Sequence, residues 1–194
     1  MWKQILPAFR ITLLLTILTG LIYPGVVTGL AQVMFHNQAN GSLITQDGKV
    51  IGSSLIGQNF TKPEYFHPRP SAAGNDGYDA TASGGTNLGP TNQKLIDRVK
   101  GDIDKFHKEN PDYNGPIPAD LLTTSASGLD PHISPASAGA QVARVAKARG
   151  VDAGAMQKVV DGHVEGRTAG FLGEPVVNVL LLNLDLDKQF PVKH

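Results

Sequence analysis

The chain contains no cysteine among its 194 residues. This absence excludes disulfide frameworks, zinc–thiolate centres, iron–sulfur clusters and cysteine nucleophiles. An excess of charge is also missing, because 17 basic residues balance 17 acidic ones. A neutral chain gives no reason to propose nucleic acid or an anionic membrane surface as a ligand. Its function must therefore be inferred from the hydrophobic pattern and from short motifs.

Residues 11–35 lack charge altogether, and no acidic residue precedes Asp47. A helix that crosses the hydrocarbon core needs about 20 mostly apolar residues, so this run predicts a transmembrane helix. Lys3 and Arg10 precede the run, and the positive-inside rule therefore places residues 1–10 in the cytoplasm. Residues 36–194 are then expected to form a single domain outside the cytoplasm.

A cleaved signal peptide ending near Gly29-Leu30-Ala31 is the alternative interpretation of this run. The apolar region of a signal peptide is normally only about 7–15 residues long, however, so we favour the membrane anchor. Gly25 and Gly29 form a GxxxG motif, which is typical of helices that pack closely in lipid. Pro24 predicts a kink.

The first part of the external region predicts a β-hairpin followed by a long loop. Asp47-Gly48 is a strong turn dipeptide within residues 40–58. Residues 59–90 are rich in Gly, Pro, Ser and Asn, and loops longer than about 12–15 residues are usually functional or disordered. Aromatic residues in this loop, such as Tyr65 and Phe66, favour order, because disordered segments contain few of them. We expect a packed loop that presents a surface.

The rest of the chain predicts about three helices and a final strand. Apolar residues at 3.6-residue spacing predict an amphipathic helix over residues 92–109. Ser134 is a typical N-cap for a second helix over residues 135–149, and Asp152 is a typical N-cap for a third. Residues 176–187 end in leucines that alternate with polar residues, which favours a half-buried strand. The predicted fold class is α+β, with a small sheet.

Two segments resemble catalytic motifs without fitting them. Residues 84–91, GGTNLGPT, nearly match a phosphate-binding loop, but Pro90 stands where that motif needs lysine, so we interpret them as a turn entering a helix. Ser127, Asp130 and His132 bring together the residue types of a hydrolase triad. Such residues normally come from separate elements, so an Asp-Pro turn before a capped helix is the preferred interpretation.

Several polar residues elsewhere are candidates for a site. His163 and Glu165 alone do not make a metal site. Arg144, Lys147 and Arg149 lie near a helix C-terminus, where the helix dipole favours cations, and we expect a solvated helix end there. Gln141 borders the apolar face of the same helix, and either packing or contact with a ligand is consistent with that position.

Seven motifs recur in a fixed order that is specific to one family. They are NGSLI at 40–44, GSSLIGQNF at 52–60, YFHPRPS at 65–71, SGGTNL at 83–88, SASGLDPHIS at 125–134, RVAKAR at 144–149 and VVNVL at 176–180. In these motifs, and in its single N-terminal span, the chain closely resembles the C subunit of the bacterial Kdp potassium-transporting P-type ATPase.

The resemblance implies a non-catalytic accessory subunit in the bacterial inner membrane, with its C-terminal domain in the periplasm. Its implied partners are a channel-like potassium-binding subunit and a P-type ATPase catalytic subunit. The chain lacks the D-K-T-G-T phosphorylation motif of such pumps, which agrees with this role. An implied function is that of a catalytic chaperone that raises the ATP affinity of the catalytic subunit, with Gln141 as the nucleotide contact.

Topology argues against that nucleotide contact, because ATP is hydrolysed in the cytoplasm and Gln141 is expected outside. A cap over the potassium entrance suits the topology better. ATP is thus a cofactor only by resemblance. Two other functions remain as alternatives: a membrane-anchored periplasmic hydrolase using Ser127, Asp130 and His132, and a periplasmic binding module released by signal cleavage.

Overall fold

The computed structural model describes residues 2–192, and these form two compact units that meet in the chain between Ser53 and Ser54. Residue 1 of the predicted cytoplasmic segment and residues 193–194 of the predicted external domain lie outside the described residues. The fold mixes helix and sheet with one apolar helix at its N-terminus, so the predicted α+β class is confirmed.

The first unit begins with the predicted apolar helix. Helix α1 (Trp2–Ile17) continues through a π-helical turn (Leu18–Ile22) into helix α2 (Tyr23–Met34). Together they are long and apolar enough to cross a membrane. Pro24 has no amide hydrogen to continue the regular ladder, and just before it the Tyr23 N–H reaches back five residues to the Leu18 carbonyl. The π turn adds one residue, so side chains on either side of it do not share one 3.6-residue spacing.

A short helix, α3 (His36–Ala39), leads into the predicted hairpin of β1 (Leu43–Gln46) and β2 (Lys49–Ser53). The strands are antiparallel, and Asp47 and Gly48 connect them with φ values of 52° and 75°. Two consecutive positive φ angles define the type I′ turn, whose twist matches that of paired strands. The turn dipeptide thus determines the hairpin, and this prediction is confirmed.

The second unit packs helices against a small antiparallel sheet of strand order β3-β5-β4. Its elements are α4 (Gln93–Glu109), a 3₁₀ turn (Ala119–Leu121), β3 (His132–Ile133), α5 (Pro135–Arg149), α6 (Ala153–Gly162), β4 (Val164–Glu165), β5 (Val176–Asn178) and α7 (Val179–Gln189). The core lies between α5, α6, α7 and the sheet, and its largest buried members are Phe66, Ile133, Met156, Leu182 and Leu186.

N-caps account for the positions of three helices, and those at Ser134 and Asp152 were predicted. The side chains of Asn92, Ser134 and Asp152 each accept a hydrogen bond from a backbone N–H in the first turn of α4, α5 and α6. Such bonds satisfy donors that a helix start leaves free. All three helices are confirmed, although Phe106 is the only residue of α4 that is buried.

The predicted strand over residues 176–187 is mostly wrong. Only Val176–Asn178 is strand, and the chain then continues as α7. Asn178 caps this helix by accepting a hydrogen bond from the Leu181 N–H at 3.2 Å. Leucine is a strong helix former, and Leu182 and Leu186, four residues apart, form a buried helical face. Within the described residues the second unit therefore has four helices of ten residues or more, rather than three.

Candidate functional site

A cleft of about 370 Å³ opens in the second unit between the long loop and α4. The loop contributes aromatic, proline and polar side chains to its wall, and α4 contributes Phe106 and several charged side chains. Gln141 of α5 also lines the cleft. This is the concave feature to which the predicted site residue belongs.

Two side-chain amides hold the loop against the helices. Asn183 of α7 accepts from the Phe66 N–H at 2.9 Å and donates to the Phe66 carbonyl at 3.0 Å. Gln141 accepts from the next amide along the chain, the His67 N–H, at 2.8 Å and donates to the His67 carbonyl at 3.1 Å. Between them the Phe66 ring is fully buried in the core. Backbone groups of the loop need hydrogen-bond partners when water is excluded. These two side-chain amides supply such partners, as the backbone of a neighbouring strand does in a sheet.

Gln141 makes two further hydrogen bonds inside the domain. Its Oε1 also accepts from Arg144 Nη2 at 2.6 Å, and its Nε2 also donates to the Ser137 carbonyl at 3.2 Å. A glutamine amide offers two donor hydrogens and two acceptor lone pairs, so all four positions are in use. The residue is only 1% exposed. Of the two interpretations consistent with the sequence, its environment matches packing.

The expected solvated helix end is wrong for two of its three cations. Arg144 is buried, and the Arg149 side chain is shielded, whereas Lys147 is exposed. Arg144 donates to the carbonyls of Pro63 and Tyr65 and to the Asn110 side chain at 2.7–3.0 Å. A guanidinium group can donate five hydrogen bonds in one plane, and the irregular loop supplies carbonyls that need donors.

Arg149 serves the same loop at a second place. It donates to the Glu64 carbonyl at 2.7 Å, to the Phe190 carbonyl at 2.8 Å and to Asp187 at 2.9 Å. Its guanidinium carbon lies 5.1 Å from the centre of the Tyr65 ring, a distance at which cation–π attraction contributes. The basic end of α5 is therefore part of the loop's anchorage.

Burial and paired charges set the electrostatics of the cleft. Burial lowers the pKa of Arg144 to about 10, although nearby Glu109 opposes the shift. Burial alone would raise the pKa of Glu109, but a hydrogen bond from His67, 3.3 Å away, and nearby cations outweigh it and the pKa is lowered. Burial raises the pKa of Asp102 even though Arg98 lies 2.7 Å away. Asp102 and Glu109 thus each have a basic side chain beside them in the wall of the cleft.

Ser127, Asp130 and His132 are not arranged as a catalytic triad. Asp130 accepts from the His132 N–H at 3.0 Å and pairs with Arg69 at 2.9 Å. Ser127 Oγ instead lies 3.3 Å from Ser125 Oγ and accepts from the Leu129 N–H at 3.2 Å. A triad needs the histidine bonded to the serine, so the preferred interpretation, a hydrogen-bonded turn, agrees with the structure.

The glycine-rich segment packs tightly against the same turn. The Gly84 N–H donates to the Ser127 carbonyl at 2.8 Å. Gly128 has a φ of +67°, and a Cβ there would lie 2.6 Å from the Gly84 carbonyl oxygen. Position 128 therefore requires glycine, both for its positive φ and for the close approach of the Gly84 carbonyl oxygen. Gly84 thus belongs to this packed turn, whereas an added Cβ at Gly89, the other glycine of the phosphate-loop pattern, would have no neighbour within 4 Å.

His163 makes a local contact rather than a metal site. Its Nδ1 lies 2.9 Å from the Val159 carbonyl and its Nε2 lies 3.5 Å from Asp185. Across the part of the chain that the structure describes, no group of three metal-ligating side chains is present.

Comparison with known proteins places the chain in a family. Residues 5–188 match the family model described as "KdpC: K+-transporting ATPase, c chain". The chain is 58% identical over 193 residues to the potassium-transporting ATPase KdpC subunit of Koribacter versatilis, with 99% of this chain and 98% of that protein covered. It is also 58% identical over 191 residues to that of Myxococcus xanthus, covering 98% and 90%, and 55% identical over 194 residues to that of Rhodospirillum rubrum, covering all of both. The chain therefore belongs to the KdpC family, the c chains of K⁺-transporting ATPases.

Proposed function

We propose that this protein is a subunit of a potassium-transporting ATPase and that it works as part of that membrane complex. The observation that carries this proposal is the match over nearly the whole chain to relatives that are named as KdpC subunits of such an ATPase. The partners that we infer are a channel-like potassium-binding subunit and a P-type ATPase catalytic subunit. A membrane-anchored hydrolase or a released binding module is not favoured by the same comparison.

The apolar helix supports a single-pass anchor in the bacterial inner membrane. Lys3 and Arg10 lie at its N-terminal side, which favours a cytoplasmic segment over residues 1–10, a span over residues 11–35 and a periplasmic domain over residues 36–194. The long loop and its cleft then face the side from which potassium enters the cell.

We further propose that the subunit carries out no catalysis and acts by stabilising the assembly and covering the potassium entrance. The first point is supported by the side-chain contacts of the proposed triad: the His132 ring lies 3.6 Å from Asp130, whereas the Ser127 hydroxyl contacts Ser125 and the Leu129 N–H instead of that ring. The second point rests on the topology inferred above, which puts the loop and its cleft on the side from which potassium enters. Against the rival role, the four internal bonds of Gln141 favour a structural part in the domain over direct contact with ATP. The role of a catalytic chaperone through Gln141 remains the rival proposal.

Co-expression with the other subunits encoded for the same ATPase tests the proposal. An affinity-tagged chain purified in mild detergent should bring down two larger multispan subunits in a fixed ratio, and the preparation should hydrolyse ATP in response to potassium. The control is the tagged second unit, residues 54–194, expressed without the span. Recovery of the full chain alone, beside an active complex of the other subunits, would exclude the proposal.

A further inference from the structure

Helix α4 lies outside the core of the second unit. None of its residues, all of which the structure describes, belongs to the core cluster or packs against it, and Phe106 is the one that is buried. On its apolar face Leu95 and Val99 are only half-buried, and Ile96 is 37% exposed. Tertiary packing supplies most of the stability of a helix in a protein. Helix α4 is therefore held less firmly than α5, in which eight residues are buried.

The C-terminal end of α4 is nevertheless well anchored. Glu109 lies 3.3 Å from His67 of the long loop. Asn110, directly after the helix, is buried and accepts a hydrogen bond from Arg144 of α5 at 3.0 Å. Together with the buried ring of Phe106, these contacts tie this end of the helix to the loop and to α5.

The first half of α4, residues 93–101, is tied to the unit much more weakly. Within the part of the chain that the structure describes, its side-chain hydrogen bond to the rest of the unit is that of Arg98 Nη2 to the Leu122 carbonyl at 3.2 Å, near the upper limit for such a bond. Leu122 follows the 3₁₀ turn, which is fixed to the start of α5 because Asp120 accepts from the Ser134 N–H at 2.7 Å and from two hydroxyl groups there. Arg98 is therefore the latch between this half of α4 and the body of the unit.

The latch carries a cost of its own. Arg98 Nε is buried and has no hydrogen-bond partner among the described residues, although Nη1 and Nη2 bond to Asp102 and Leu122. A buried donor without a partner destabilises the form that buries it. Outward movement of the first half of α4 would return this N–H to water. The same arginine that closes the latch therefore also favours its release.

Gly101 provides a place at which the helix can bend. It lies between the latched half and the anchored half, and it is exposed. An added Cβ there would meet no atom within 4 Å beyond its chain neighbours and the backbone of its own helix, so packing does not require a glycine. Glycine is among the weakest helix formers, because it loses more conformational freedom than other residues when it becomes helical.

We propose that α4 is a movable wall of the cleft, whose first half swings about Gly101 between a closed form, latched by Arg98, and an open form. Arg98 lines the cleft, so outward movement of this half removes it from the wall and widens the cleft. Phe106 and Glu109, at the anchored end, stay in place. A molecule that contacts only one of the two forms would shift the balance between them. This inference concerns the domain itself and does not depend on the proposed function.

Distance measurements between spin labels test the movement, and the absence of native cysteine makes each introduced pair unique. The test pair is Lys94→Cys, in the first half of α4, with Lys158→Cys on α6, both at exposed positions. In the full chain in detergent, double electron–electron resonance should resolve two distances for this pair, one for each form. The matched control joins exposed Lys108→Cys, at the anchored end, to the same Lys158→Cys and should give one distance. A single distance from both pairs would overturn the inference.

Substitution at the hinge separates bending from local unfolding. Gly101→Ala strengthens the regular helix and should reduce the ratio of open to closed form about fivefold. Lys100→Ala, at the exposed neighbouring position, should leave that ratio within about twofold. An unchanged ratio in Gly101→Ala would refute a hinge at this residue. A broad, unresolved distance distribution with a loss of helical circular dichroism would show that the first half unfolds, and it would equally refute the proposed movement.

Discussion

Replacing Gln141 with alanine should strongly destabilise the second unit. The substitution removes the acceptor of the Arg144 Nη2 hydrogen bond at 2.6 Å and of the His67 N–H bond at 2.8 Å. The Arg144 donor is buried and the His67 donor is part-buried, and neither gains a new partner from alanine. The donors to the carbonyls of His67 and Ser137 are lost as well. Because alanine is the best helix former, the effect comes from the lost contacts and not from helix propensity.

The expected magnitude follows from the two stranded donors. A buried donor left unsatisfied costs about 1–3 kcal/mol, and more when it is charged. Gln141→Ala should therefore lower the free energy of unfolding by about 3–6 kcal/mol. For a unit of this size that corresponds to a fall in melting temperature of roughly 10–20 °C.

Thermal unfolding of the full chain in detergent, followed by far-ultraviolet circular dichroism, measures this change. Gln93→Ala is the matched control, because Gln93 is an exposed helical glutamine whose amide donates to exposed Asp97. That control should change the free energy of unfolding by no more than about 0.5 kcal/mol. A change of less than about 1 kcal/mol for Gln141→Ala would refute the argument that its amide holds the loop.

The same variant separates the structural role from the nucleotide role. In assembled complex, the ATP concentration for half-maximal hydrolysis should stay within about twofold of normal, because the amide has no free donor or acceptor for ATP. A tenfold rise, with the melting temperature unchanged, would favour direct contact between Gln141 and the nucleotide; tenfold corresponds to about 1.4 kcal/mol of lost binding.

Three further predictions concern topology, assembly and pH. The chain has no native cysteine, so Lys108→Cys, at an exposed position of α4, introduces a unique label site. This variant should react with an impermeant maleimide in intact spheroplasts, whereas Gln4→Cys should react only after lysis. The reverse pattern would mean that the topology is inverted. Gly29→Leu should reduce co-purification of the other subunits, because an added Cβ there meets no atom within 4 Å beyond its chain neighbours and the backbone of its own helix. Val27→Leu, about 200° around α2, should not reduce it, and equal yields would mean that Gly29 faces lipid. Burial alone would raise the pKa of Asp130, but its contacts with His132 and Arg69 outweigh burial and the pKa is lowered. The stabilisation that Asp130 provides is therefore complete above the unfolded-state pKa near 4 and is lost as pH falls through the lower folded-state pKa. Asp130→Asn should flatten the fall in melting temperature between about pH 5 and pH 2, and an unchanged slope would contradict this linkage.

Local signals predicted the parts of this fold that local chemistry determines. Asp47-Gly48 specifies its turn through two positive φ angles, and the caps at Ser134 and Asp152 satisfy the donors of the helix start beside them. Each of these features depends on only a few neighbouring residues. The apolar helix is equally local, since length and lack of charge suffice to predict it.

The errors lie where distant parts of the chain meet. The Leu–polar alternation after Asn178 fits a strand locally, but burial of Leu182 and Leu186 against other helices favours α7. Arg149 looks like a solvated helix end until the loop, 85 positions earlier in the chain, supplies a carbonyl acceptor for it. Asn183, which holds the loop at Phe66, was missed as a candidate altogether. A lone amide inside an apolar helical run is the one sequence signal that could have indicated it.

The candidate site was predictable only in part. Gln141 was singled out by position and by family resemblance, and it does line the cleft. The cleft itself was not predicted, because its wall consists of loop backbone held by side chains from three other segments. Spacing within a sequence carries no information about such contacts until the partners are known.

Anchoring the loop through α5 and α7 has a consequence for how the protein is made. The chain emerges from the ribosome N-terminus first, yet the backbone of Phe66 finds its amide partner 117 residues later and that of His67 finds its partner 74 residues later. During synthesis, and during any transfer across the membrane, the loop therefore emerges long before the side chains that hold it. A chain that stalls before α7 exposes the loop, with the Phe66 ring unburied, to chaperones and proteases. Completion of the last helix is thus the step that converts an exposed segment into the wall of a cleft.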